Sequence, residues 1–192
     1  DIRDRGRLAE VIDEVRPDLV IHLAAQALVL DSHSDPASTF ETNVMGMINL
    51  LECVRERPWI QAAVLVTSDK VYRNNEWDWG YRETDVLGGN DPYSGSKGCA
   101  ELVAYSYFHS FLKQSPTRIG IARAGNVIGG GDWAADRVIP DCIRAWSAEE
   151  AVVIRRPSAT RPWQHVLEPL SGYLALGQEL FEGNLTAKNQ SF

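Results

Sequence analysis

The chain has 192 residues, 44% of them apolar and 23% charged, and 26 acidic against 19 basic residues leave a formal charge of −7. That suits one globular domain or slightly more, and it argues against a sequence-independent grip on nucleic acid, so an anionic ligand would have to be held by local groups. Cys53, Cys99 and Cys142 are odd in number and widely spaced, which disfavours a disulfide framework or a zinc site and suits a reducing, cytoplasmic setting; no apolar run reaches the about 18 residues of a membrane span.

In chain order, "RGRLAEVIDEV" at 5 to 15 has Leu8, Val11, Ile12 and Val15 at helical spacing. "DLVIHLAA" at 18 to 25 is a continuous apolar run, as expected of a strand buried on both faces. After a polar loop, Asp35 and Pro36 open a long helix that Pro58 ends. "AAVLVTS" predicts a second buried strand, 73 to 92 a loop, Tyr93 to about Lys113 a third helix, and "TRIGIARAG" at 117 to 125 a third strand. "NVIGGGDW" reads as a turn, 134 to 147 as a helix, "AVVIR" at 151 to 155 as a short strand, and "LEPLSGYLALGQELF" as the last helix. Strands alternating with helices imply parallel strands joined by crossovers, with ligands at the carboxyl ends of the strands. "HLAAQ", "VTSDK" and "ARAGN" are all such ends, so one rim is the expected site. The opening "DIRD" has no initiator methionine and reads as the start of a fragment.

Tyr93 and Lys97 lie four apart at a helix start, where they face one partner. An ammonium beside a phenol favours the phenolate, which can take a proton from a substrate hydroxyl. Ser68, Asp69 and Lys70 end the second strand; the plain alternative is a solvated strand end in which Asp69 and Lys70 pair. Small Ala24 and Ala25 suit close strand–helix packing as well as a cofactor, and a lone arginine is more often a surface charge. His22, His33 and His109 have no ligand-like spacing and read as structural; no metal site is expected.

Ser68, Tyr93 and Lys97 in that order, with "FETNVMGMINLLE", "VTSDKVY", "DPYSGSKGCAEL" and "ARAGNVIGGGDW", resemble the extended branch of the short-chain dehydrogenase/reductase family. "WGYRE" and "RPWQHVLEPLSGYL" extend the likeness to its nucleotide-sugar 4,6-dehydratases of the CDP-glucose type. The resemblance implies a Rossmann-like, doubly wound α/β sheet whose N-terminal glycine-rich unit is not in this sequence, with 1–133 in the NAD-binding domain and 134–192 in a nucleotide-sugar-binding region, an arrangement that allows the two to interleave. It implies tightly held NAD, oxidation of the sugar at C4, loss of water across C5 and C6, and return of the hydride to C6. Ser68 would bind the 4-oxygen, Tyr93 and Lys97 form the oxidising pair, Asp69 protonate the 6-hydroxyl and Lys70 take the C5 proton. In related dTDP-glucose dehydratases glutamate stands where Lys70 does. Asp1 and Ile2 would meet the adenine, Leu23, Ala24, Ala25 and Gln26 pass under the cofactor, and Asn43 lie near its ribose. Asn126, Arg137, Arg161 and His165 would face the nucleotide sugar. The partner is the nucleotide-sugar substrate, with no nucleic acid and no membrane, in a homodimer or homotetramer packed through the helices near Ala37 and Tyr93. Two other readings remain: a 4-epimerase, which needs Tyr93 and Lys97 but no acid and base at C6 and C5, and a non-catalytic dinucleotide-sensing module. Without a glycine-rich phosphate turn, these residues alone are expected to bind NAD weakly or not at all.

Overall fold

The computed structural model describes residues 1–185; residues 186–192, the end of the expected second region, lie outside the described residues. Three parallel strands, β1 (Leu19–His22), β2 (Ala62–Val66) and β3 (Arg118–Ala122), form a sheet in consecutive order. β2 sits centrally and alternates its side chains between two cores. Ala63 and Leu65 join Ile119 and Ile121 on one face, against Ile12 of α1 (Arg5–Val15), Met47, Leu50 and Leu51 of α4 (Gly46–Arg55) and Ala100 and Ala104 of α5 (Pro92–Tyr107). Ala62 and Val64 join Ala122 on the other, against Tyr173, Leu176 and Leu180 of α7 (Leu167–Glu182). Helices on both faces of a parallel sheet are the doubly wound arrangement expected.

Local chemistry explains the helix starts. Asp4 accepts from Arg7 N at 2.9 Å and caps α1, and Asp91 accepts from Ser94 N at 2.9 Å to cap α5, with Pro92 in its first turn. Asp35 caps α3 (Pro36–Phe40), which runs through a π turn at Glu41–Met45 into α4. The expected polar loop after β1 contains a further short helix, α2 (Val29–Ser34). Its Ser32 is fully buried, donating from Oγ to Val29 O at 2.7 Å and accepting from Tyr93 N at 3.2 Å, so tertiary packing makes this helix.

The chain forms two compact units, one of Asp1–Ala124 with the chain from Gly172 onward, the other of Gly125–Ser171. The expected division after residue 133 differs from this, because α7 buries its apolar face on the sheet of the first unit. Within the second unit, β4 (Asn126–Ile128) pairs in parallel with β5 (Trp163–His165), and α6 (Val138–Ser147) lies between them in sequence. The strand expected at "AVVIR" is not formed. Val153 is 82% exposed and Ile154 46%, so apolar character there marks surface, and the pairing strand comes from "WQH" instead.

Candidate active site

The sheet register places the ends of the three strands side by side, His22 opposite Leu65 and Val66 opposite Ala122. Beyond β2 the ladder continues briefly, with Thr67 N donating to Ala122 O at 2.8 Å and Asp69 N to Ala124 O at 3.0 Å. The chain then turns. Ser68, buried, accepts from Lys70 N at 3.2 Å and donates to Asp69 Oδ1 at 3.1 Å, capping a single 3₁₀ turn at Asp69–Val71. Asp69 and Lys70 are half-buried, and the Asp69 carboxylate takes the Ser68 hydroxyl rather than the Lys70 ammonium, which is not the ion-paired strand end of the plain alternative.

Tyr93 and Lys97 occupy the first two turns of α5 beside this rim. Lys97 is 7% exposed, and its Nζ donates to Val66 O at 3.3 Å. Burial pushes its pKa down to about 8 against the opposing pull of Glu101 one turn on. His22, at the end of β1, is held neutral for the same reason: burial, then the Lys97 charge, bring its pKa down to about 4. The sequence reading of His22 as structural agrees with that environment.

After β1, Leu23 and Ala24 are exposed and Ala25 and Gln26 half-buried. Asn43, carried by the π turn, points inward to this loop. Its Oδ1 accepts from Gln26 N at 2.9 Å, and its Nδ2 donates to Gln26 O at 3.0 Å and Ser96 Oγ at 2.8 Å. Ser96 in turn donates to Tyr93 O at 2.7 Å. A π turn carries one extra residue per turn and so re-aims what it bears; here it ties the β1 loop to the first turn of α5. Asp1 is ion-paired with Arg3 at 2.6 Å, and Ile2 packs where any side chain at Gly46 would sit.

The four expected substrate contacts all lie in the second unit. Asn126 begins β4, and Arg137 holds Asp132 at 2.8 Å just before α6. Arg161 is exposed, donating to Thr160 O at 2.6 Å, and His165 accepts from Leu167 N at 3.3 Å through Nδ1.

The sequence reading left out a buried group at the foot of the rim. Glu101, 2% exposed on α5, accepts from Thr67 Oγ1 at 2.5 Å, while Arg123 holds both its carboxylate oxygens and reaches Tyr72 Oη at 2.7 Å. A charged residue on the inner face of a helix, in register with Lys97, is the sequence signal for it.

The parallel α/β architecture is shared with proteins already known. A family model described as GDP-mannose 4,6 dehydratase matches residues 1–190. The chain belongs to this family. It is 53% identical over 186 residues to CDP-glucose 4,6-dehydratase of Salmonella typhimurium, covering 94% of this chain and 52% of that protein. CDP-paratose 2-epimerase of Salmonella typhi is 32% identical over 126 residues, covering 58% of this chain and 37% of the relative. Among solved structures, dTDP-glucose 4,6-dehydratase from Streptomyces venezuelae with NAD and TYD bound matches with a TM-score of 0.80 and 29% identity, over 92% of this chain and 53% of that one. The chain thus spans about half the length of the relatives it matches.

Proposed function

We propose that this chain supplies the catalytic rim and part of the sugar-binding region of an NAD-dependent nucleotide-sugar 4,6-dehydratase acting on CDP-glucose. The observation that carries the proposal is the single turn after β2, which holds Ser68, Asp69 and Lys70 together beside buried Lys97. The residues fit a bound dinucleotide: the Lys97 ammonium has three donors and is given one long carbonyl contact, and Leu23 and Ala24, at the end of β1, are exposed with a small side chain at Ala24. Leu23 to Gln26, Tyr93 and Lys97 would hold NAD, with Asp1 and Ile2 toward the adenine and Asn43 fixing the loop. When bound, NAD supplies the acceptor for the C4 hydride and gives it back at C6.

Tyr93 takes the proton of the 4-hydroxyl while Ser68 donates to the 4-oxygen and Lys97 favours the phenolate. A ketone at C4 then acidifies the C5 hydrogen. Lys70 removes that proton, the electron pair forms the C5–C6 double bond, the C6–O bond breaks, and Asp69 gives the leaving hydroxyl its proton to release water. In the second unit, the turn after β4 and Asn126, Arg137, Arg161 and His165 would face the nucleotide diphosphate. Supply of the substrate in the cytoplasm suits the three free thiols and the lack, among the described residues, of any helix long and apolar enough to cross a membrane. A homodimer or homotetramer would cover the exposed Phe40, Met45, Leu102, Tyr105 and Phe111.

The test is turnover of CDP-glucose by the complete gene product in deuterated water. Deuterium at C5 with loss of the 6-hydroxyl is expected; a product that keeps the 6-hydroxyl overturns the proposal and favours the 4-epimerase.

A further inference from the structure

We infer that the buried pair Glu101–Arg123 is a brace that positions Asp69 and Lys70 for water loss, separately from the Tyr93 and Lys97 pair that serves C4; the inference rests on the dehydratase reading. The turn bearing Asp69 and Lys70 has two flanks, and the brace grips both. On one flank Thr67 Oγ1 donates to Glu101 Oε1 at 2.5 Å. On the other, Arg123 Nη1 donates to Tyr72 Oη at 2.7 Å and to Glu83 O at 3.3 Å, with its guanidinium 4.8 Å above the Tyr72 ring. Between them Arg123 closes on Glu101, Nε donating to Oε1 at 2.9 Å and Nη2 to Oε2 at 2.5 Å. Tyr72 also stacks on Tyr81 at 5.0 Å, whose hydroxyl accepts from Asn75 N at 2.7 Å, so the following loop is drawn into the same set.

Glu101 and Arg123 are 2% and 7% exposed at their side chains. Taking two charges out of water is costly, and the pair returns that cost only through complete hydrogen bonding. A planar guanidinium is the one cation that can hold a carboxylate by two edges and still reach a third acceptor. Its reach is what links α5, the end of β3 and the Asp69 turn. Lys97 and Glu101 sit on successive turns of one helix, Lys97 bonding Val66 O and Glu101 bonding Thr67, so α5 sets C4 chemistry with one turn and the acid–base turn with the next. Thr67, Tyr72, Glu101 and Arg123 are therefore positioning residues: Thr67 and Tyr72 flank the turn, and Glu101 and Arg123 hold those flanks.

The test uses the complete gene product with NAD and CDP-glucose, and the mild variants Tyr72→Phe and Thr67→Val, each of which removes one grip and leaves the ion pair intact. Water loss is expected to slow roughly ten-fold with KM within about two-fold, since a small misplacement of reacting groups is costly. The isotope effect of substrate deuterated at C5 should rise and that of substrate deuterated at C4 should fall. In the ligand-free protein, amide exchange across 67 to 72 should quicken in both variants. Dehydration by the wild type with isotope effects unchanged in the variants, or with both steps slowed equally, overturns the brace. A wild type that keeps the 6-hydroxyl overturns the dehydratase reading instead, and the inference with it.

Discussion

Lys97 Nζ donates to the carbonyl of Val66 at 3.3 Å from a position 7% exposed. Its ammonium is a burden on the ligand-free fold. Below pH about 8 the lysine is charged in both folded and unfolded chains, and the folded state bears the whole cost of burying it. Between about 8 and 10.5 only the unfolded chain keeps the proton, so stability rises with pH across that window. Lys97→Met should therefore stabilise the ligand-free protein by about 2 kcal/mol near neutrality, with the advantage fading toward pH 10.5, while abolishing oxidation at C4. Urea midpoints against pH check this; a variant less stable than wild type at pH 7 counts against it.

His22 acts in the same sense at acid pH. Its folded pKa of about 4 lies below the ordinary 6.5 because of burial and the Lys97 charge. As pH falls from 6.5 to 4 the unfolded chain binds a proton that the folded one refuses, so stability is lost across that interval, by up to about 3 kcal/mol. His22→Asn, of similar polarity and unable to titrate, should flatten the dependence. Equal slopes of urea midpoint against pH in wild type and variant would remove His22 as the cause.

Asp69 and Lys70 share one turn but are assigned to different atoms, C6 oxygen and C5 hydrogen, and that division can be read out. Lys70→Ala should still remove hydrogen from C4, yet exchange at C5 and water loss should fall by roughly a hundred-fold or more. Asp69→Asn should keep C5 exchange and lose only the departure of water. Identical behaviour of the two variants would refute separate roles.

Much of this was open to reading in the sequence because the relevant signals are local. Asp35 with Pro36 and the Asp91–Pro92 pair marked two helix starts, apolar spacing marked the first helix, and the apolar run before Thr67 marked β2 and hence the rim. Other features depend on partners far along the chain. α2 forms because Ser32 is buried against Tyr93, 61 residues on, and β4 and β5 pair across a shorter but still non-local gap while the more apolar Val153 and Ile154 stay at the surface. Tyr93, Lys97 and Ser68 were visible as residue types in a recurring order. Glu101 and Arg123 were not, since a helix glutamate and a strand-end arginine read as surface charges until they are seen facing each other. The inward turn of Asn43 depends on a π turn that no residue spacing announces.

Gly89 shows how closely the loop before α5 is seated on the helix that presents Tyr93. A Cβ there would stand 2.3 Å from Gly95 N and 2.4 Å from both the carbonyl carbon and Cβ of Ser94. Most of these are backbone atoms of the first turn of α5, which Asp91 caps and Ser32 also holds through Tyr93 N. No flexible side chain can yield, so Gly89→Ala must push the loop or the helix start aside, at about 1 to 3 kcal/mol. Gly80, with nothing within 4 Å of its Cβ position, is the matched control. Gly89→Ala should lower the thermal midpoint and slow C4 oxidation at least ten-fold by shifting Tyr93, whereas Gly80→Ala should change neither. A Gly89→Ala protein with wild-type stability and rate would show that the loop has room the packing denies.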